Sequence, residues 1–498
     1  MKVMKMIDNQ MQLDEDRVAD LITELLNIYD IGLFDGEQDK INSYKYMSQL
    51  RYEHLIALFS MRNVIEGCDK LFDICYKSYI SYGKALIRGK ISDGEKINVA
   101  FLPISAAEWP AEDIYNKLSA DGRFDVKVIP VPLAGRNYYD RRKIYIQTYN
   151  YFKNRGYIVE KVYNTDTDEI CGWKDIGGFP DMVINVTPWY LDMAEYYQIT
   201  KLPSSVINMY ISYGLSVGQS PDGGYDKVGL YNNDFINMQW RAYTESVHDY
   251  NSFCKYEMLK GSNIRNSGYV KMDYFYKKHN YTDLDIGNMW KTPQNSNIRK
   301  YKKIIIAPHF SVGNTNEVNF STFASNMYFL LYLAEKYKDN ISFIFKPHPN
   351  LRNAVVQNGY MNSYEDYEAY INRWRELPNG KVVEEEDYRT IFETSDGMIM
   401  DSMSFVGEYL YVQKPLLFLT RDEQSFNDLG KALMPAHYMA DGRNYTEIEN
   451  FIVNVILAGD DKKKSIREEV FYRELDYYGK NGELASDYIY NEICSELL

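Results

Sequence analysis

A chain of 498 residues, 45% hydrophobic and 25% charged, has enough apolar material for two or three domains with separate cores, which excludes an intrinsically disordered protein. Its formal net charge of −14 excludes a surface that attracts nucleic acid as a whole, so any phosphate site has to be a local pocket. The five cysteines, Cys68, Cys75, Cys171, Cys254 and Cys494, form no C-x-x-C pair, which argues against a zinc site or a disulfide framework and suits a reducing compartment.

The opening residues turn polar and acidic by Asp8, too soon for the apolar core of a signal peptide, and no window approaches the roughly 18 apolar residues of a membrane span. The expectation is a cytoplasmic protein, at most peripheral at the inner face of the membrane. The 47 tyrosines are read mainly as core packing.

Residues 1–92 read as a helical extension. Val18, Leu21, Ile22, Leu25, Leu26 and Ile28 recur at helical spacing after the acidic start Asp14, Glu15 and Asp16, and Leu55, Ile56, Leu58 and Phe59 begin a second such face. Such a block serves either as a cap on the next domain or as an element for homo-oligomerisation or partner docking.

From Lys96 the pattern changes to short apolar runs alternating with amphipathic stretches. Strands are predicted at 97–102, 124–131, 157–162, 181–186 and 206–211, with helices at 111–120 and 141–155. A polar stretch, Lys291 to Arg299, reads as a linker. A second series follows, with strands at 304–307, 341–345, 382–383, 398–400 and 416–419 and helices at 320–337, 364–375, 388–394 and 405–412. Two successive doubly wound α/β domains, 93–295 and 296–445, with a helical tail over 446–498, are therefore expected, with the ligand cleft at the carboxyl ends of the strands.

Three segments of the second series carry chemistry. Lys346-Pro347-His348-Pro349 sets a cation and an imidazole directly after a strand, suited to holding a phosphate or moving a proton. Ser395-Asp396 through Asp401-Ser402-Met403-Ser404 to Glu408 is a strand whose end opens a helix, where unpaired N–H groups favour an anion and the two serines can add donors. Pro308-His309 again follows a strand. There are six histidines in all, and two of them fall at the ends of neighbouring strands. His54, His248, His279 and His437 read as structural or surface residues.

The ordered motifs A-P-H, F-S-T-F, K-P-H-P, S-D-x-x-I-x-D-S-x-S-x-x-x-E-Y and K-P-x-x-F-L, over roughly residues 300 to 430, resemble those of the CDP-glycerol glycerophosphotransferases of teichoic-acid and capsule synthesis. The resemblance implies a glycosyltransferase-B fold, two Rossmann-like domains facing a cleft, with a nucleotide-activated donor, CDP-glycerol, on the second domain and a polysaccharide or lipid-linked glycan as acceptor. No acidic metal-binding cluster is apparent, so no metal and no additional cofactor are expected.

By position, Lys346, His348, Ser402 and Ser404 would hold the diphosphate, and Glu408 would approach the ribose. Tyr388, in the loop from Glu384, would lie near the base. Ser395 and Asp401 of the same motif would join the donor-binding set, and His348 and His309 would offset the charge that develops in catalysis. The family's His-Gly-Thr segment, thought to supply the base, has Ser212-Tyr213-Gly214 as its counterpart here. Glu108, in the loop after the first strand, is the expected substitute base, with Trp109 as an aromatic platform for the acceptor. Two other readings stay open: a sugar transferase using a UDP- or CMP-linked donor, and a non-catalytic nucleotide-binding subunit of a polysaccharide assembly complex.

Overall fold

The strands of the first half are β1 (Ile97–Leu102), β2 (Phe124–Val128), β5 (Met182–Asn185), β6 (Ile207–Ile211), β7 (Arg241–Thr244) and β8 (Ile264–Asn266), with β3 (Tyr163–Asn164) and β4 (Glu169–Ile170) forming a separate two-stranded hairpin. The six pair in the order β2-β1-β5-β6-β7-β8, all parallel. The computed structural model from which these elements are taken describes residues 55, 58, 59, 62, 68–220, 229–294, 296–313, 318–384 and 387–498.

The second half carries β9 (Lys302–Ala307), β10 (Ile341–Phe345), β11 (Gly380–Val382), β12 (Gly397–Met400), β13 (Leu416–Thr420) and β14 (Tyr438–Asp441), paired in the order β11-β10-β9-β12-β13-β14, again all parallel. Their fully buried runs, Ile304-Ile305-Ile306 in β9 and Phe343-Ile344-Phe345 in β10, are what a parallel sheet covered on both faces requires. In the helix Phe323–Lys336, which covers one face, Phe323, Leu330 and Leu333 are buried and Tyr337 packs at the margin of the same core.

The stretch 157–162, expected as a strand, contributes a single parallel bridge, Val159 to Val128. β7, β8 and β14 were not expected; they are three- or four-residue strands on the outer side of each sheet, with too few apolar residues to stand out in the sequence.

The helix Cys68–Ser92 lies against the first sheet, where the Tyr79 hydroxyl donates to the Val206 carbonyl at 3.0 Å. Gly83 lies at this crossing, where a Cβ would stand 2.4 Å from Ile207 Cδ1 and the isoleucine side chain would have to shift. Leu55 and Leu58 are buried in the same region, beside Phe72, Tyr76 and Tyr79. The helical faces expected around Val18 to Ile28, the acidic residues Asp14 to Asp16, and Ile56 lie outside the described residues.

The helical tail does not stay with the second sheet. Its last helix, Ala485–Leu497, returns to the first domain and sinks Ala485, Ile489, Ile493 and Leu497 into the core around Ile97, Val99 and Phe101. Glu492 takes Arg241 at 2.9 Å and Arg265 at 2.8 Å, and the Asp273 carboxylate accepts the amides of Ala485 and Ser486 at 3.2 and 2.8 Å. Ile489→Ala is expected to destabilise the first domain by about 2–5 kcal/mol, measured by urea denaturation, because the cavity opens under β1.

Candidate active site

In the second sheet the strand order reverses at β9, so the crevice between the ends of β9 and β12 is the expected ligand position. Asp401, immediately after β12, fastens this crevice. Its Oδ1 accepts the His309 amide at 2.6 Å, and its Oδ2 accepts the Thr322 amide and, at 2.8 Å, the Thr322 hydroxyl. Burial pushes its carboxyl up to about 6 against the pull of these donors. With its oxygens so engaged, Asp401 sets the loop that carries His309.

His309 and His348 then meet, with ring centroids 5.2 Å apart at 66°. The His348 amide donates to the Pro308 carbonyl at 3.2 Å, continuing the pairing of β10 with β9 beyond the strands. His348 Nδ1 accepts the Asn350 amide at 3.1 Å, and His309 Nδ1 faces the Ser311 hydroxyl at 2.8 Å and amide at 3.3 Å. Both rings, when neutral, therefore carry their proton on Nε2 as a donor. Burial, followed by the Lys346 charge, lowers His348 to about 4, while burial and the neighbouring His348 hold His309 well below its ordinary value. At neutral pH the pair supplies two uncharged N–H donors beside one lysine.

Ser402 and Ser404 follow in partly exposed positions, Ser404 immediately before the four-residue helix Phe405–Glu408. Glu408 is buried at the end of that helix, its carboxylate accepting the hydroxyls of Tyr388 and Tyr269, the latter at 3.1 Å. Lys346 Nζ stands 5.7 Å from the centre of the Tyr388 ring. Ser395, in contrast, is not brought to this group: it precedes β12, at the opposite end of the strand, and its buried hydroxyl bonds the Phe392 carbonyl at 2.8 Å and the Tyr409 hydroxyl at 2.7 Å. Glu385 and Glu386 of the loop ending at Tyr388 lie outside the described residues.

The first domain faces this group. Its loop after β6 crosses over, Gly218 bridging Phe426 and the Asn427 amide donating to the Val217 carbonyl at 3.0 Å. Glu108 lies in the loop after β1 with a hydrogen bond to Thr187, which follows β5; these two strands flank the reversal point of the first sheet. Glu108 Oε2 is buried without a hydrogen-bond partner. Burial pushes the carboxyl up to about 7, with Asp192 adding to the rise and the Thr187 bond and the Lys271 charge opposing it.

The platform expected at Trp109 is not there. The indole is buried in the core, edge-on to Phe101 at 5.4 Å and Phe152 at 4.8 Å, because the three-residue turn Ala106–Glu108 directs residue 109 inward. At the position of the family's histidine segment, Tyr213 offers its carbonyl to the Tyr269 hydroxyl and its own hydroxyl to the Trp189 indole N–H at 3.0 Å. Of the remaining histidines, His248 pairs with Glu474, His279 stacks on Tyr274, and His437 is buried against the Val406 carbonyl; His54 lies outside the described residues.

Lys271 had no motif to mark it. It sits in the segment Val270–Tyr276 that leaves the first sheet after β8, nearly buried, its Nζ 3.3 Å from the Ala107 carbonyl and 4.5 Å from the centre of the Tyr388 ring. Among the described residues no group of three or more His, Cys, Asp or Glu side chains is arranged to hold a metal ion. No helix among them is long and apolar enough to cross a membrane.

Two domains built on six-stranded parallel sheets, with Lys346 and two histidines at the reversal point of the second, have the architecture of the glycosyltransferase-B type. The sequence profile of the CDP-glycerol:poly(glycerophosphate) glycerophosphotransferases matches residues 236–495, just over half of the chain, and the chain belongs to that family.

Among solved structures, the wall teichoic acid polymerase TagF is similar at 14% identity with a TM-score of 0.48, over 84% of this chain and 93% of that one. The UDP-GlcNAc 2-epimerase of Neisseria meningitidis, bound to UDP-GlcNAc, is similar at 14% identity with a TM-score of 0.45, over 80% of this chain and 100% of that one. No curated protein matches the chain.

Proposed function

We propose that the protein transfers glycerol phosphate from CDP-glycerol to a hydroxyl of a cell-surface polysaccharide or teichoic-acid-type acceptor, releasing CMP. The observation that carries this reading is the convergence of Lys346, His348 and His309 at the reversal point of the second sheet, within the segment that the family profile matches. Lysine supplies a point charge and the two imidazoles directed donors, which suits a diphosphate.

In this reading Ser402 and Ser404 add hydroxyl donors, and the nucleoside end lies toward Tyr388 and Glu408. The acceptor oxygen attacks the β-phosphorus, its proton passes to Glu108, and the bond from that phosphorus to the bridging oxygen breaks. CMP departs with the electron pair. The residues contribute chiefly by positioning and by stabilising developing charge.

CMP release tests the reading, with CDP-glycerol compared against UDP- and CMP-linked sugars over a panel of glycan and polyol-phosphate acceptors. Acceptor-dependent release from CDP-glycerol is the expected result. Turnover with a sugar nucleotide alone moves the protein to the sugar transferases, and binding without turnover of any donor makes it a nucleotide-binding subunit.

A further inference from the structure

Lys271 is a cation placed between two carboxylates of different domains. Its Nζ donates to the carbonyl of Ala107, the residue before Glu108, and lies over the ring of Tyr388, whose hydroxyl binds Glu408. Two residues earlier in the chain, Tyr269 reaches Glu408 directly, and two residues later Asp273 holds the amides that begin the helix Ala485–Leu497. The backbone that carries the lysine is thus pinned from both domains.

The charged groups around it are Glu408, Arg389, Asp387 and Glu108, while Glu108 is influenced by Lys271 and Asp192. Burial, with Arg389 adding to it, lowers the Lys271 ammonium below lysine's ordinary value, and the carboxylates of Glu408, Asp387 and Glu108 oppose that fall.

We propose that Lys271 is a positioning residue for the transfer reaction: held between the domains by the Ala107 carbonyl and the Tyr388 ring, it fixes the turn that carries Glu108 and sets a cation beside the carboxylate that takes the acceptor's proton. The proposal rests on the assignment of Glu108 as the base. Lys271 acts on the chemical step through Glu108, so its loss changes the pH at which the base becomes available; any effect on the donor through Tyr388 and Glu408 is read separately in donor KM.

The test is the pH–rate profile of acceptor-dependent CMP release, measured for the full-length wild type, Lys271→Met and Lys271→Arg, with donor KM determined at each pH. In Lys271→Met the ascending limb of kcat is expected to move up by about one to two pH units and the rate to recover at high pH. Lys271→Arg retains the wild-type limb. A uniform loss at every pH, or a limb that stays where it was in a Lys271→Met protein of wild-type melting temperature, overturns the proposal. If Lys271→Met does not fold, Lys271→Gln supplies the same comparison. A wild type inactive with CDP-glycerol would instead overturn the function on which the proposal rests, and the two failures are distinguishable.

Discussion

Glu108→Gln is expected to lower kcat by about 10²–10⁴-fold while leaving donor KM near the wild-type value, because the glutamine keeps the shape of the side chain and removes only its ability to take a proton. The wild-type rate should rise with pH through about 7, where burial has moved this carboxyl, and the variant's residual rate should lose that rise. Stability gives a second readout. The folded-state value is raised, so ionising Glu108 costs folding free energy as pH climbs through about 7, and the favourable contribution remains only below the ordinary carboxyl range. Glu108→Gln should therefore melt higher than wild type at pH 8 and lose that advantage at pH 5. A variant with full turnover removes Glu108 as the base.

His348→Ala should cost about 10²–10³-fold in kcat/KM for the donor, the usual consequence of removing one preorganised donor from developing charge. His348→Gln, which retains an N–H donor, should recover part of the loss. The pH dependence has a definite sign. The free protein holds His348 near 4, and a bound diphosphate raises that value. The complex therefore takes up part of a proton as pH falls toward that raised value, the Asn350 amide giving up His348 Nδ1, and donor affinity should increase in the same direction. Titration calorimetry in two buffers of different ionisation enthalpy should report this uptake in wild type and none in His348→Gln. Equal uptake in both places the proton elsewhere.

The second domain was legible because its strands are short and wholly apolar and its polar residues follow them directly. Phe345-Lys346 and Met400-Asp401 mark both the end of a strand and the start of the site. The sign was there for Ser395 too, since it stands before β12 and not after it. Only motif spacing grouped it with Ser402 and Ser404.

The first domain was harder to read. Its outer strands, Arg241–Thr244 and Ile264–Asn266, mix charge and small polar residues because they border the helix that carries Glu492 and Glu496. Whether Trp109 faced the cleft or the core depended on a three-residue turn that periodicity does not reveal. Lys271 acquires its surroundings from Ala107 and Tyr388, residues more than a hundred positions away on either side, and no local pattern encodes such a meeting. Nor does any local pattern mark the last helix as part of the first core.

That returning helix has a consequence for how the chain is made. Every strand of the second sheet, through Asp441, leaves the ribosome before Ala485–Leu497 does, while the first core waits for Ile489 and Ile493. The half translated second can settle once Val470 and Leu475 have joined its core, whereas the half translated first stays unfinished until Ile489 and Ile493 follow.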